Sequence, residues 1–191
     1  MNTRRNLMVG AETGLFAVTL AAVLGMGRLF EGGGWFGAIA TSALVAHGLA
    51  SLLRRRGYSL ITAAVVMLVG AALTTTWVMY WSTTKAGIPT GDSWTAMQND
   101  LDSAWSLYQD VVAPTRAEPG FVVASCLAVW VVAFIADWAA FRLWVPFEAT
   151  LPAGTLFLFT ALLGESAGRG WAVAAFAGSV IAFLLLHRMA R

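Results

Sequence analysis

The chain has 191 residues, of which 59% are hydrophobic and 12% charged, and its net charge is +2. An ordinary soluble domain carries about a quarter of its residues as Asp, Glu, Lys and Arg, so too few charges are present here to build a water-facing surface. The absence of any long basic run excludes a nucleic-acid groove, and the single cysteine, Cys126, excludes an internal disulfide or a CxxC metal or redox site.

In chain order, six apolar segments predict membrane-embedded helices at 7–30, 35–53, 58–81, 121–143, 151–164 and 170–186. At about 1.5 Å per residue, 58–81 is long enough to cross a hydrocarbon core of roughly 30 Å. Backbone facing lipid must be paired within its own segment, and the alternation of barrel strands is missing, so the expected fold class is an all-α polytopic helix bundle, a single domain over 1–191. The opening Met-Asn-Thr-Arg-Arg followed by an apolar run is reminiscent of a signal peptide. That run exceeds an h-region of about 7–15 residues and lacks a cleavage site, so it is read as a retained first span.

Eight of the twelve Lys and Arg fall on one side of this arrangement: Arg4, Arg5, Arg54, Arg55, Arg56, Arg142, Arg188 and Arg191. Arg28, Lys85, Arg116 and Arg169 fall on the other. The positive-inside rule then places both termini in the cytoplasm of a multi-pass protein of the cell membrane. Trp35, Trp77, Trp81 and Trp171 fall near the outer boundary and Trp144 near the inner one, the depth that amphipathic rings prefer. The last two segments are short, and Pro152 with Gly154 loosens the fifth; two crossings and a re-entrant hairpin both remain open.

The outer loop 82–120 is the one long polar segment. Within it Trp94, Met97, Leu101, Trp105, Tyr108 and Val112 recur at helical spacing, with Gln98, Asn99, Asp102, Ser106 and Gln109 opposite. This predicts an amphipathic helix over about 93–112, capped by Asp92 or Ser93 and ended before Pro114, either interfacial or packed, with docking of its apolar stripe on the bundle favoured over a dedicated partner site. Its polar face has acids and no Lys or Arg, so attraction to anionic lipid is not expected.

Candidate chemistry is sparse. Gly164-Glu165-Ser166-Ala167-Gly168 matches GxSxG, but no Asp or Glu follows Ser166 and His187 belongs to the opposite end of the last span, so a polar hairpin explains it better. Cys126 and His47 lie about 12 Å apart along the membrane normal, beyond nucleophile–base reach. Lys85 stands in the outer loop, and neither GxxxxGK[ST] nor HExxH occurs, so no catalytic residue, cofactor or metal is expected. Glu12, His47 and Asp137 each lie about five to seven residues inside their spans, at similar depth on three helices, and buried ionisable groups face the bundle interior. Such a cluster is either a proton relay or substrate site, or interhelical bonding, with Arg142 as an alternative interfacial partner for Asp137. Gly10 and Gly14 form a GxxxG close-approach site on the first span.

Two stretches, 20–55 and 100–164, with the strings DVVAP, ADWAAFR and LPAG, resemble the N-terminal membrane domain of bacterial TgpA-type transglutaminase-like proteins. The resemblance implies an extracytoplasmic transglutaminase-like domain, of the protein-glutamine gamma-glutamyltransferase type, further along the polypeptide, with a Cys-His-Asp triad. None of that triad can be carried over onto these residues. It also implies MoxR-type ATPases and von Willebrand-like proteins as partners, beside the lipid bilayer. The expected function is therefore a non-catalytic membrane anchor or scaffold, with a seventh crossing before any outer catalytic domain. The alternative is a small transporter or intramembrane enzyme using Glu12, His47 and Asp137, although a transporter favours paired broken helices and only the fifth segment looks broken.

Overall fold

The computed structural model describes residues 2–190, with side chains from Arg5 onward; Arg191 and the Arg4 side chain, both counted in the charge asymmetry, lie outside the described residues. Seven α-helices form an all-α bundle: α1 Asn2–Gly25, α2 Gly34–Arg55, α3 Leu60–Met79, α4 Gly91–Leu107, α5 Pro119–Asp137, α6 Leu151–Leu163 and α7 Arg169–Ala190. One 3-10 turn, Met26–Arg28, extends α1, and a π turn, Trp138–Arg142, extends α5. A parallel pair of two-residue strands, β1 Phe30–Glu31 and β2 Thr115–Arg116, ties the α1–α2 loop to the α4–α5 loop, Phe30 opposite Thr115.

Five helices are long and apolar enough to cross a membrane; α6, 13 residues, is shorter. The last helix is 22 residues long, so the sequence-based boundary 170–186 undercounts it: the run continues through His187 to Ala190 because helical hydrogen bonding does not stop at a basic residue. Pro152 does not break α6 either, since it sits in the first turn, where a missing N–H leaves no bond unmade.

The fifth helix is the axis of the bundle. It is apolar all round, as a helix enclosed by neighbours must be, and Val132, Cys126, Trp130 and Val123 enter four separate buried clusters with α1, α2, α3, α4, α6 and α7. The GxxxG pair has a defined partner: Gly10 meets Leu186, and a Cβ on Gly14 would lie 3.1 Å from the Phe183 Cα. Those two pairings make α1 and α7 antiparallel and bring the start of the chain and the end of α7 to the same end of the bundle. Arg54 and Arg55 lie there beside Glu12, and Arg142 beside Tyr58. The other end carries α4 and the Arg28 turn.

The helix α4 differs from its sequence reading in register and in the face it buries. It starts at Gly91 behind the N-cap Thr90, whose N–H donates to the Ser93 hydroxyl at 3.1 Å, and it ends at Leu107, leaving Val112 in the loop beyond. Ser93, Met97 and Ala104 are the buried positions, whereas Trp94, Trp105 and Tyr108 are exposed. Small side chains let α4 approach α5 closely, and the rings are left to the boundary region, where aromatic residues of membrane proteins collect. The Tyr80 phenol donates to the Asp100 carboxylate at 2.6 Å and so joins α4 to the end of α3.

Candidate functional site

Arg54 and Arg55 lie in the last turn of α2, where cations suit the negative end of the helix dipole. Arg54 reaches back toward the bundle. Its Nε donates to both oxygens of Asp137, at 3.2 and 3.3 Å, and its Nη2 to Glu12 Oε1. Arg55 donates to Glu12 from Nε at 3.2 Å and from Nη2. The Arg54 guanidinium also sits 4.3 Å from the centre of the Phe141 ring. One side chain thereby joins α1, α2 and α5, and the side chains of Arg54, Glu12 and Asp137 are only 15%, 14% and 9% exposed.

His47 belongs to a different rung. Its Nε2 is hydrogen-bonded to the Thr19 hydroxyl at 2.9 Å, and the Phe16 ring meets it edge-on. Thr19 is seven residues from Glu12, and His47 seven from Arg54, so the two rungs stand about two helical turns apart, roughly 10 Å, on one α1–α2 seam. Glu12 and Asp137 are thus brought together through a shared arginine, while His47 is not in contact with that network. Arg142 is elsewhere too, donating to the Tyr58 carbonyl at 2.9 Å, and Asp137 takes Arg54 in its place. Sequence reasoning missed Arg54 because an arginine beside a span end reads as a loop charge. Its spacing of seven from His47 was the available signal, since it puts both on one helix face.

At the opposite end Arg28, 7% exposed, caps the carbonyl end of α6. Its Nε donates to the Glu165 carbonyl at 2.7 Å, Nη2 to that oxygen and to Gly164 O at 3.1 Å, and Nη1 to Thr160 O at 3.4 Å. The Glu165 N–H returns a bond to the Arg28 carbonyl at 3.0 Å. This explains the first glycine of the GxSxG string: a Cβ on Gly164 would lie 2.5 Å from Thr160 O and 2.9 Å from Arg28 Cβ. Ser166 is exposed in the turn before α7, so the strand-to-helix elbow that the motif requires is replaced by a helix–turn–helix. An ammonium cannot span three carbonyls as a guanidinium fork does, so Arg28→Lys is expected to cost about 1–3 kcal/mol of stability by taking from the Gly164 and Glu165 carbonyls the bonds the guanidinium gives them, while Thr160 O keeps the Gly164 N–H. Thermal unfolding in detergent checks this, with Arg169→Lys, at the exposed start of α7, as the neutral comparison.

Cys126 is fully buried in the α2–α5 seam. Among the described residues no group of three or more His, Cys, Asp or Glu is placed to hold a metal ion. His187 is buried too, with Nε2 2.8 Å from the Ala140 carbonyl and its ring against Phe141, Trp144 and Phe183.

Compared with known families, residues 17–191 match the TgpA N-terminal domain. The chain belongs to that family. No curated protein and no solved structure matches it. The TgpA N-terminal domain match takes in Arg54, Asp137, His47 and Arg28, and it begins five residues after Glu12, so the α1 carboxylate of the ion network stands just ahead of the matched region. It ends with the chain and therefore spans α7, the helix whose Phe183 and Leu186 receive Gly14 and Gly10.

Proposed function

We propose that this TgpA N-terminal domain is a non-catalytic membrane scaffold that anchors a transglutaminase-like domain and holds it on the α4 side of the membrane. The observation that carries this reading is the family match over 17–191, taken with the state of the ionisable side chains inside the bundle: Glu12, Arg54 and Asp137 are bonded to one another across three helices. A proton relay or transport site needs polar groups linked in series along a path. Here the His47 rung and the Arg54 rung are separate, which favours interhelical bonding over the transporter alternative.

The proposal includes the topology read from the arginines, with the basic end in the cytoplasm and α4 outside. In a Cys126→Ser background, a membrane-impermeant maleimide added to intact cells is expected to label Gln98→Cys and to leave Arg56→Cys unlabelled until the membrane is opened. Labelling of Arg56→Cys in intact cells would falsify it. Purified 1–191 is expected not to join glutamine and amine substrates, whereas turnover lost on Cys126→Ala would overturn the scaffold reading. A MoxR-type ATPase and a von Willebrand-like protein, the partners implied by the resemblance, belong to the same proposal, with the exposed arginines of the basic end as the ATPase's contact; copurification of the ATPase that survives Arg56→Glu combined with Arg188→Glu would count against that contact.

A further inference from the structure

Between α4, α5 and α6 lies an apolar cavity of about 810 Å³, open on one side. Phe121, Ala124 and Ala128 of α5 form one wall and Leu156, Phe159 and Leu163 of α6 another, and Met26, Leu29 and Phe30 from the segment after α1 line it as well. The α5 and α6 sets each span seven residues, so the slot runs about 10 Å along the helix axes. Joined at the basic end, these two helices are antiparallel, and Phe121 and Leu163 stand together at the α4 end while Ala128 and Leu156 stand together at the deep end. The small side chains of α5 are what leave the slot unfilled.

Its lining is graded. The deep end is wholly apolar, and the one hydroxyl on the α5 wall, Ser125, donates to the Phe121 carbonyl at 2.8 Å and offers nothing to a guest. The mouth is covered by the C-terminal turn of α4 and the segment after it, where Trp105 and Tyr108 stack with planes 8° apart and Gln109 and Thr115 supply polar groups. No Lys, Arg, Asp or Glu lines it. Phe159 and Leu163 on the α6 wall are exposed, and an apolar slot among helices long enough to span a membrane is not a place for water, which needs two or more polar partners to stay buried. Its long axis lies parallel to lipid chains, and its depth is about two-thirds of one leaflet of a ~30 Å hydrocarbon core.

We infer that the slot holds one acyl chain of a zwitterionic phospholipid from the leaflet on the α4 side, with the headgroup against Trp105, Tyr108 and Gln109. A head without net charge suits an uncharged lining, and the rings that border the mouth are the kind that settle at the headgroup boundary. This makes α4 a lid whose outer aromatics read the lipid, and it gives the exposed Trp105–Tyr108 pair a role that docking on the bundle does not.

The test uses the purified chain in nanodiscs of phosphatidylcholine that carries a photoactivatable diazirine on one acyl chain, with the adducts mapped by mass spectrometry. Adducts are expected to concentrate on 121–128 and 156–163 by about tenfold over 69–77 of α3, which stands at the same depth and carries the exposed Val69 and Trp77, the ratio that a preference of ~1.4 kcal/mol gives. Ala128→Phe, which fills the deep end, is expected to abolish the excess, while Val65→Phe on α3 leaves it. Where Ala128→Phe does not fold, the wild-type map alone decides. Even labelling of the slot and α3 overturns the inference, and so does a slot free of adducts that instead cross-links to a second copy of the chain.

Discussion

Arg54→Met is expected to destabilise the bundle by about 3 kcal/mol or more, the usual consequence of removing one partner of a buried ion pair. Glu12 keeps Arg55, but Asp137 loses the cation that bonds both of its oxygens while its side chain stays 9% exposed. The methionine keeps a side chain of similar apolar length but removes the guanidinium, and with it both the ion pair and the cation–π contact on Phe141, so the loss reports charge more than volume. Arg54→Met combined with Asp137→Asn is expected to recover most of the stability, because the carboxylate left unpaired is then neutral. Asp137→Asn alone is expected to be milder than Arg54→Met, since Arg54 retains Glu12. Melting in detergent across the four proteins, read as a double-mutant cycle, gives the coupling directly. Equal melting of Arg54→Met and the parent would mean that the pair is solvated and binds nothing together.

The helices were legible because a span announces itself by length and by lack of charge: α2 and α3 fall within two residues of their sequence-based limits, and α5 does so once its π turn to Arg142 is counted. What was not legible came from rules that give a residue type one role. Counting arginines assigns Arg54 to a loop, while its long side chain bends back to Asp137 on another helix. A helical stripe of aromatics reads as a buried face in water. Beside a membrane the same rings are stable at the boundary, so α4 buries Ser93, Met97 and Ala104 and shows Trp94 and Trp105. Depth arguments placed Glu12, His47 and Asp137 at similar levels, yet an error of two turns, about 10 Å, separates a cluster from two unconnected rungs. Gly120 gave no sequence signal whatever, because a close approach between helices is a property of the pair and not of either one.

Gly120→Ala is expected to detach α4 from the bundle. A Cβ there would lie 1.9 Å from the Asp100 carbonyl oxygen, 2.6 Å from its carbon and 2.7 Å from the Ala104 Cβ. Two of those atoms are backbone, so no rotamer change relieves them and the whole helix must move away. Overpacking costs about 1–3 kcal/mol where side chains can yield, and this substitution should meet or exceed the upper figure. Gly48→Ala on α2, where a Cβ meets nothing within 4 Å, is the matched control and is expected to be neutral or stabilising by up to about 1 kcal/mol. Tyr80 supplies a local readout. Burial, and then the Asp100 carboxylate beside it, push its phenol above the ordinary range, so the fold favours the neutral ring. That stabilisation is complete below the unfolded value of about 10 and is lost as the pH rises through the folded one. In the parent, ultraviolet titration should therefore show Tyr80 resisting ionisation beyond pH 10 or so. In Gly120→Ala that late step should move down toward the ordinary phenol value, while in Gly48→Ala it should stay; an unchanged late step in Gly120→Ala would mean that α4 is not seated on α5.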